Sequence, residues 1–210
     1  MSLKLYHCAD ARSFRALWAL EELGLDYELV LMSFPPRFRF EGYKDINPLG
    51  TVPALLADGA LMTESAAIPH FLATRFGPSD LAVAPDEPAY AAYLNFLHMG
   101  EATLTFPQTI HLRYTRLEPP ERRLAQAAED YAQWFGSRLR TAETLMGEHF
   151  VCAERFTMAD ISVGYAVMLA LAIGLEEQVT PGMRAYFKRL TQRDGFKRAK
   201  AAQGGSGLGV

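Results

Sequence analysis

The chain changes character at Gly77-Pro78-Ser79. Before that point, short strand and helix signals alternate; beyond it, no convincing strand signal remains. A few short strands cannot stand alone, so residues 1–77 must gather theirs into one sheet covered by helices, leaving the rest as a separate all-helical domain. Leu3–Tyr6 reads as a strand, and Ser13–Leu23 as a helix with Phe14, Leu17, Trp18, Leu20 and Leu23 at near-helical spacing. Gly24 is placed to end that helix in a left-handed conformation, and Tyr27–Leu31 is a second strand. Pro35 to Pro48 reads as an irregular segment with one helical turn. Pro53–Leu56 and Ala60–Met62 flank the hairpin dipeptide Asp58-Gly59. Ser65–Phe76 resumes helical periodicity through Ile68, Leu72 and Phe76, with Pro69 in or just after the first turn, where its missing N–H matters least.

A linker over 78–88 carries Pro85 and Pro88. Residues 89–203 then read as helices over Ala89–Thr115, Pro120–Met146, Ala159–Ile173 and Pro181–Arg193, and 204–210 as a flexible tail with too few apolar residues to pack. The expected fold is therefore α/β and thioredoxin-like (βαβ-ββα) in the N-terminal domain, joined to an all-α C-terminal domain.

Composition removes several classes of function. The 21 basic and 24 acidic residues leave a formal net charge of −3, with no field to attract a phosphate backbone, so nucleic acid is not an expected partner. Cys8 and Cys152 form neither a CxxC motif nor a disulfide framework, and no metal site is expected. The N-terminus lacks the apolar stretch of about 7–15 residues found in secretory signals, and Ile161–Leu175 is short for a hydrocarbon core of about 30 Å. A cytoplasmic protein without a membrane partner is expected.

Asn47-Pro48-Leu49-Gly50-Thr51-Val52-Pro53-Ala54-Leu55, followed by Thr63-Glu64-Ser65, resembles the pair of motifs with which soluble (cytosolic) glutathione transferases of bacterial type hold glutathione. The resemblance implies a cis peptide before Pro53, with the backbone of Val52 pairing with the cysteinyl unit like an added strand. It implies that Ser65 opens a helix whose N-terminus receives the γ-glutamyl carboxylate, and that Glu64 pairs with the ligand ammonium. Thr51 stands where many relatives carry lysine and offers only a hydroxyl. Arg37 or Arg39 is a candidate for the glycyl carboxylate, solvated loop charges being the alternative. Phe156-Thr157-Met158-Ala159-Asp160 resembles the family's capping box before its central helix, a folding element.

Catalysis in the resembled family requires a group near the first strand–helix turn that favours the thiolate of glutathione, its co-substrate. The turn here is Tyr6-His7-Cys8-Ala9-Asp10-Ala11-Arg12-Ser13, and Asp10 departs from the family by placing a carboxylate where a serine or cysteine is common. Ser13 is the candidate donor, with Arg12 as a positive neighbour; the other reading of Ser13 is a plain helix cap. Cys8 is either a thiol for a mixed disulfide or a small buried residue, and His7 either a base or structural.

In the helical domain His98, Met99, Glu101, Leu104, Phe106 and Tyr114 are candidates for the wall of an electrophile site, for a dimer interface or for core. By the resemblance, Glu101 approaches the glutathione site of a homodimer partner. The function implied is conjugation of glutathione thiolate to small apolar electrophiles, a detoxification reaction. The alternatives are a non-catalytic glutathione- or ligand-binding protein of the same fold, or a glutathione-dependent isomerase, dehalogenase or disulfide reductase.

Overall fold

The computed structural model describes residues 2–77 and 79–204, so Pro78 of the expected linker and all of the expected tail except Gly204 lie outside the described residues. The chain divides into two units, one of Met1–Ala82 with Thr191–Val210 and one of Val83–Leu190. In the first unit the elements are β1 (Leu3–His7), α1 (Phe14–Leu23), β2 (Glu28–Leu31), two short helices α2 (Pro36–Arg39) and α3 (Tyr43–Ile46), β3 (Ala54–Ala57), β4 (Ala60–Met62) and α4 (Ala67–Arg75). The sheet order is β2-β1-β3-β4, with β1 and β2 parallel and the other pairs antiparallel. This is a thioredoxin-like arrangement.

Strand alternation decides what each face of β1 meets. Leu5 and His7 point to the α1 side, while Tyr6 and Cys8 point to the other, where Met32, Tyr43, Val52 and Ala54 pack around them. Helix α1 is buried from Phe14 to Leu20. Its last turn closes on Gly24, whose φ of 62° is a left-handed value that a side chain would strain.

The helix expected over Pro181–Arg193 ends at Leu190, and a further helix that the sequence pattern does not announce follows over Asp194–Ala202. In the second unit α5 (Tyr90–Met99), α6 (Phe106–Leu112), α7 (Ala125–Leu145), α8 (Met158–Ala172) and α9 (Pro181–Leu190) follow one another, and α10 (Asp194–Ala202) returns to the first unit. Arg193, the residue before α10, has an extended ψ of 139° and directs its guanidinium to both oxygens of Glu22 on α1, at 2.9 and 2.8 Å. Phe196 of α10 meets the rings of Phe14 and Trp18 edge-on, at 5.6 and 5.0 Å between centroids. The last helix is therefore part of the wall around α1, whereas the expected all-helical domain runs to residue 203.

Between α5 and α6 the backbone is π-helical over Gly100–Thr105, with the Phe106 N–H bonded to the Glu101 carbonyl. The wider turn accommodates Pro107, which has no N–H to continue an α-helical ladder. A Cβ on Gly100 would stand 2.3 Å from the Ser162 hydroxyl of α8, so this crossing admits no side chain. Helix α8 is buried from Met158 to Ala170 and opens on the expected capping box. The Asp160 carboxylate accepts from the Thr157 N–H at 2.8 Å, the Val151 N–H at 2.9 Å and the Tyr186 hydroxyl at 2.9 Å. Burial raises its pKa to about 6 against the opposing pull of these donors, so it is ionised at neutral pH. Asp160→Ala leaves buried N–H groups without acceptors and should lower stability by about 3 kcal/mol, read as a fall in urea midpoint with little change in m.

Candidate functional site

Three segments meet at one end of the sheet. Tyr6 lies opposite Ala54 at the end of the β1–β3 ladder, and Leu55 lies opposite Met62 in β3–β4. The register therefore carries the turn after β1, the loop before β3 and the Thr63-Glu64-Ser65 segment after β4 to the same edge. The loop before β3 is held by its own side chains. Tyr43 Oη and Asn47 Nδ2 both donate to the Thr51 carbonyl, at 2.6 and 2.7 Å, while Asn47 Oδ1 accepts from the Leu49 N–H at 3.1 Å. The Val52-Pro53 peptide is cis. Val52 buries its side chain, yet among the described residues its N–H and C=O have no partner. An extended peptide added along this edge would find one donor and one acceptor waiting.

Glu64 is exposed, and its carbonyl accepts from the N–H groups of Ala67 and Ile68, so a tight turn precedes α4. Ser65 is 3% exposed, and its hydroxyl accepts from Arg15 Nη1 at 3.0 Å. The side chain of Ser65 thus faces inward, leaving the surface of the turn to backbone and to Glu64. Arg15 was not foreseen. It is 0% exposed on α1, and a guanidinium between Phe14 and Leu17 on an apolar helix was the signal that could have exposed it, since a buried arginine must be partnered. Thr51 and Arg39 are exposed. Arg37 lies with its guanidinium 4.8 Å from the Phe38 ring, and with Arg39 and Lys44 lines a groove of about 490 Å³ along α2 and α3. Glu101 lies half-buried in the π-helical turn of the other unit.

The turn between β1 and α1 is where the geometry departs from expectation. Ser13, expected as the thiol donor, is 0% exposed. Its Oγ lies 2.8 Å from His7 Nδ1, accepts from the Cys8 N–H at 3.2 Å and is 3.3 Å from the Cys8 carbonyl. That hydroxyl is committed to the interior, because a polar atom removed from water takes the partners that the fold offers. Cys8 is 1% exposed, and burial pushes its thiol up to about 12, which removes it as a disulfide-forming nucleophile. Asp10 takes a left-handed φ of 56° and is also buried, with its carboxylate turned inward to Lys200 at 2.6 Å and Gln203 at 2.7 Å. Only Ala9 and Arg12 of this turn have appreciable exposure.

Residues 1–74 match the family model of the glutathione S-transferase N-terminal domain. Glutathione S-transferase GstA of Escherichia coli O157:H7 is 29% identical over 213 aligned residues, covering 96% of this chain and 99% of that protein. Residues 1–74 thus form a glutathione S-transferase N-terminal domain, and the chain as a whole is similar to soluble, bacterial-type members of that superfamily. Glutathione S-transferase 3 of Schizosaccharomyces pombe is 24% identical, covering 90% of this chain and 83% of that protein. A sphingomonad glutathione S-transferase solved with glutathione superposes with a TM-score of 0.83 at 25% identity, covering 96% and 98% of the two chains. Among the described residues, no helix is long and apolar enough to cross a membrane, and no cluster of His, Cys, Asp and Glu is arranged to hold a metal ion.

Within this domain, His7 belongs to the interior of the turn. Gln203 Oε1 accepts from the Asp10 N–H at 3.2 Å and lies 3.3 Å from His7 Nε2. An amide oxygen only accepts, so His7 carries its proton on Nε2 and receives the Ser13 hydroxyl at Nδ1. Burial lowers the His7 pKa to about 4, from an ordinary 6.5. The unfolded chain therefore binds the extra proton first: this contribution to stability is complete above pH 6.5 and is lost as pH falls to 4, at most about 3 kcal/mol for a shift of this size. Unfolding measured across that window should show the stability difference between the parent and His7→Asn shrinking as pH falls; a constant difference would mean that His7 is not held neutral.

Proposed function

We propose that this chain is a glutathione transferase that binds glutathione along the Val52 edge and adds its thiolate to small apolar electrophiles. The observation that carries the reading is the unpartnered backbone of Val52 before the cis Pro53, at the sheet end where the Glu64-Ser65 turn also emerges. Val52 would take the cysteinyl amide and carbonyl as an added strand, Glu64 the ammonium, and the turn at Ser65, steadied from beneath by Arg15, the γ-glutamyl carboxylate. Pro53 and Thr51 shape the approach, and Arg39 or Arg37 meets the glycyl carboxylate. With Ser13 turned inward, thiolate stabilisation falls to the exposed rim of the β1–α1 turn, where Arg12 supplies the positive charge. Holding the thiol ionised and aligned is most of the catalysis such a reaction needs.

The groove of about 430 Å³ in the helical unit, lined by Leu94, Asn95, His98, Met99, Ala102 and Thr103, supports an apolar second substrate, since thioether and methyl groups offer contact area without strict direction. A homodimer in which Glu101 approaches the partner's glutathione, a cytoplasmic location and a detoxifying role complete the proposal. One observation favours a second reading, a glutathione-binding protein without turnover: every hydroxyl, thiol and imidazole of the β1–α1 turn is buried.

Titrating glutathione while following thiolate absorbance separates the two. Conjugation requires a bound thiol pKa below the free value, moved back towards it by Arg12→Ala and left in place by Ser13→Ala. Binding with an unaltered thiol pKa would exclude the enzyme reading. Glu64→Ala should weaken glutathione by about 1.5–3 kcal/mol in calorimetry through loss of a charge-assisted contact; unchanged affinity would remove Glu64 from the site.

A further inference from the structure

The last helix closes onto the first turn of the chain. Lys200 Nζ donates to Asp10 Oδ1 at 2.6 Å across 190 residues of sequence. Gln203 grips Asp10 twice, giving its amide N–H to Oδ1 at 2.7 Å and receiving the backbone N–H at Oε1 at 3.2 Å. The same oxygen accepts from His7, so one glutamine side chain ties together both sides of the turn. Asp10 and Gln203 are each 4% exposed, whereas Lys200 retains 36% exposure at its side chain and spans from solvent to the buried carboxylate. Lys200 Nζ also stands 5.5 Å from the centre of the Phe14 ring, which adds attraction for its charge. The helix that delivers both groups is anchored further back by Arg193 on Glu22 and by the Phe196 ring.

We infer that Lys200 and Gln203 are positioning residues for thiol activation, resting on the proposal that the rim of this turn receives the glutathione thiol. Two physical tasks fall to them. Asp10 precedes Ala11 and Arg12, and its left-handed backbone, which aspartate adopts more readily than most side-chain-bearing residues, is braced by Gln203 through bonds to both backbone and side chain. The Asp10 carboxylate would repel a neighbouring thiolate, and Lys200 compensates that charge at hydrogen-bonding distance. Together they let this chain carry an acidic residue in a turn whose task is to favour an anion. Neither residue need touch glutathione.

The test is a charge cycle read on the thiol of bound glutathione. Lys200→Met removes the positive charge beside the Asp10 carboxylate and should raise that thiol's pKa by about one unit, with activity below it falling about tenfold. Lys200→Arg should restore the parent value. Asp10→Asn combined with Lys200→Met removes both charges while keeping an amide for Gln203 to grip, and should bring the thiol pKa back. Binding affinity for glutathione, measured by calorimetry, should change much less than the thiol pKa in all three. A loss of thermal stability in Lys200→Met with the thiol pKa unmoved, or an equal rise in the double variant, would overturn the inference by showing that the pair serves folding alone. If the parent protein itself leaves the glutathione thiol at its free value, the underlying functional proposal fails instead, and the two failures are distinct.

Discussion

A polar group taken out of water must be given a partner inside, and at the β1–α1 turn this one requirement organises the rest. The turn carries an imidazole, a thiol, a carboxylate and a hydroxyl within seven residues, and all four are buried. Ser13 and His7 satisfy each other, the Cys8 backbone shares the same hydroxyl, and Asp10 is met by Lys200 and Gln203. Because the interior consumes these groups, Ala9 and Arg12 are the residues of the turn that keep appreciable exposure. The chemistry of the proposed reaction is then set by an arginine and the helix start, rather than by a hydroxyl.

The helical unit meets the same requirement differently. There the buried carboxylate is Asp160, and its first partner is local, the N–H of its own N-cap residue Thr157, with the Val151 N–H and the more distant Tyr186 hydroxyl completing the set. A cap of this kind is written into a short stretch of sequence, because donor and acceptor are separated by one helical turn. The Asp10 cluster joins groups nearly the whole chain apart. Both are buried carboxylates with several donors each, but only one has a local signature.

That difference explains how much was legible. The strands, the turn at Asp58-Gly59, the end of α1 at Gly24 and the Thr157–Asp160 cap rest on periodicity or on contacts a few residues long, and each lies close to its expected place. The long helix expected over Ala89–Thr115 is interrupted by π-helical turns, because Pro107 and the close crossing of Gly100 with Ser162 impose demands that periodicity does not record. At the site, Val52, Pro53 and the Glu64-Ser65 turn were visible as a motif. Arg15 was hidden by its position on an apolar helix face, and the inward turn of Ser13 was not visible because a helix-start serine and an inward-turned serine look the same in one dimension.

The sequence by itself determined the βαβ-ββα order, the all-helical second part, the hairpin, the α8 cap and the motif resembling a glutathione site, since each depends on residue type and short spacing. The tertiary structure alone decided which way the side chains of the first turn point, that Lys200 and Gln203 stand behind Asp10, and that the final helix belongs with α1. Those outcomes depend on which distant segments compete to satisfy a buried charge, a matter of three-dimensional proximity that no local pattern encodes.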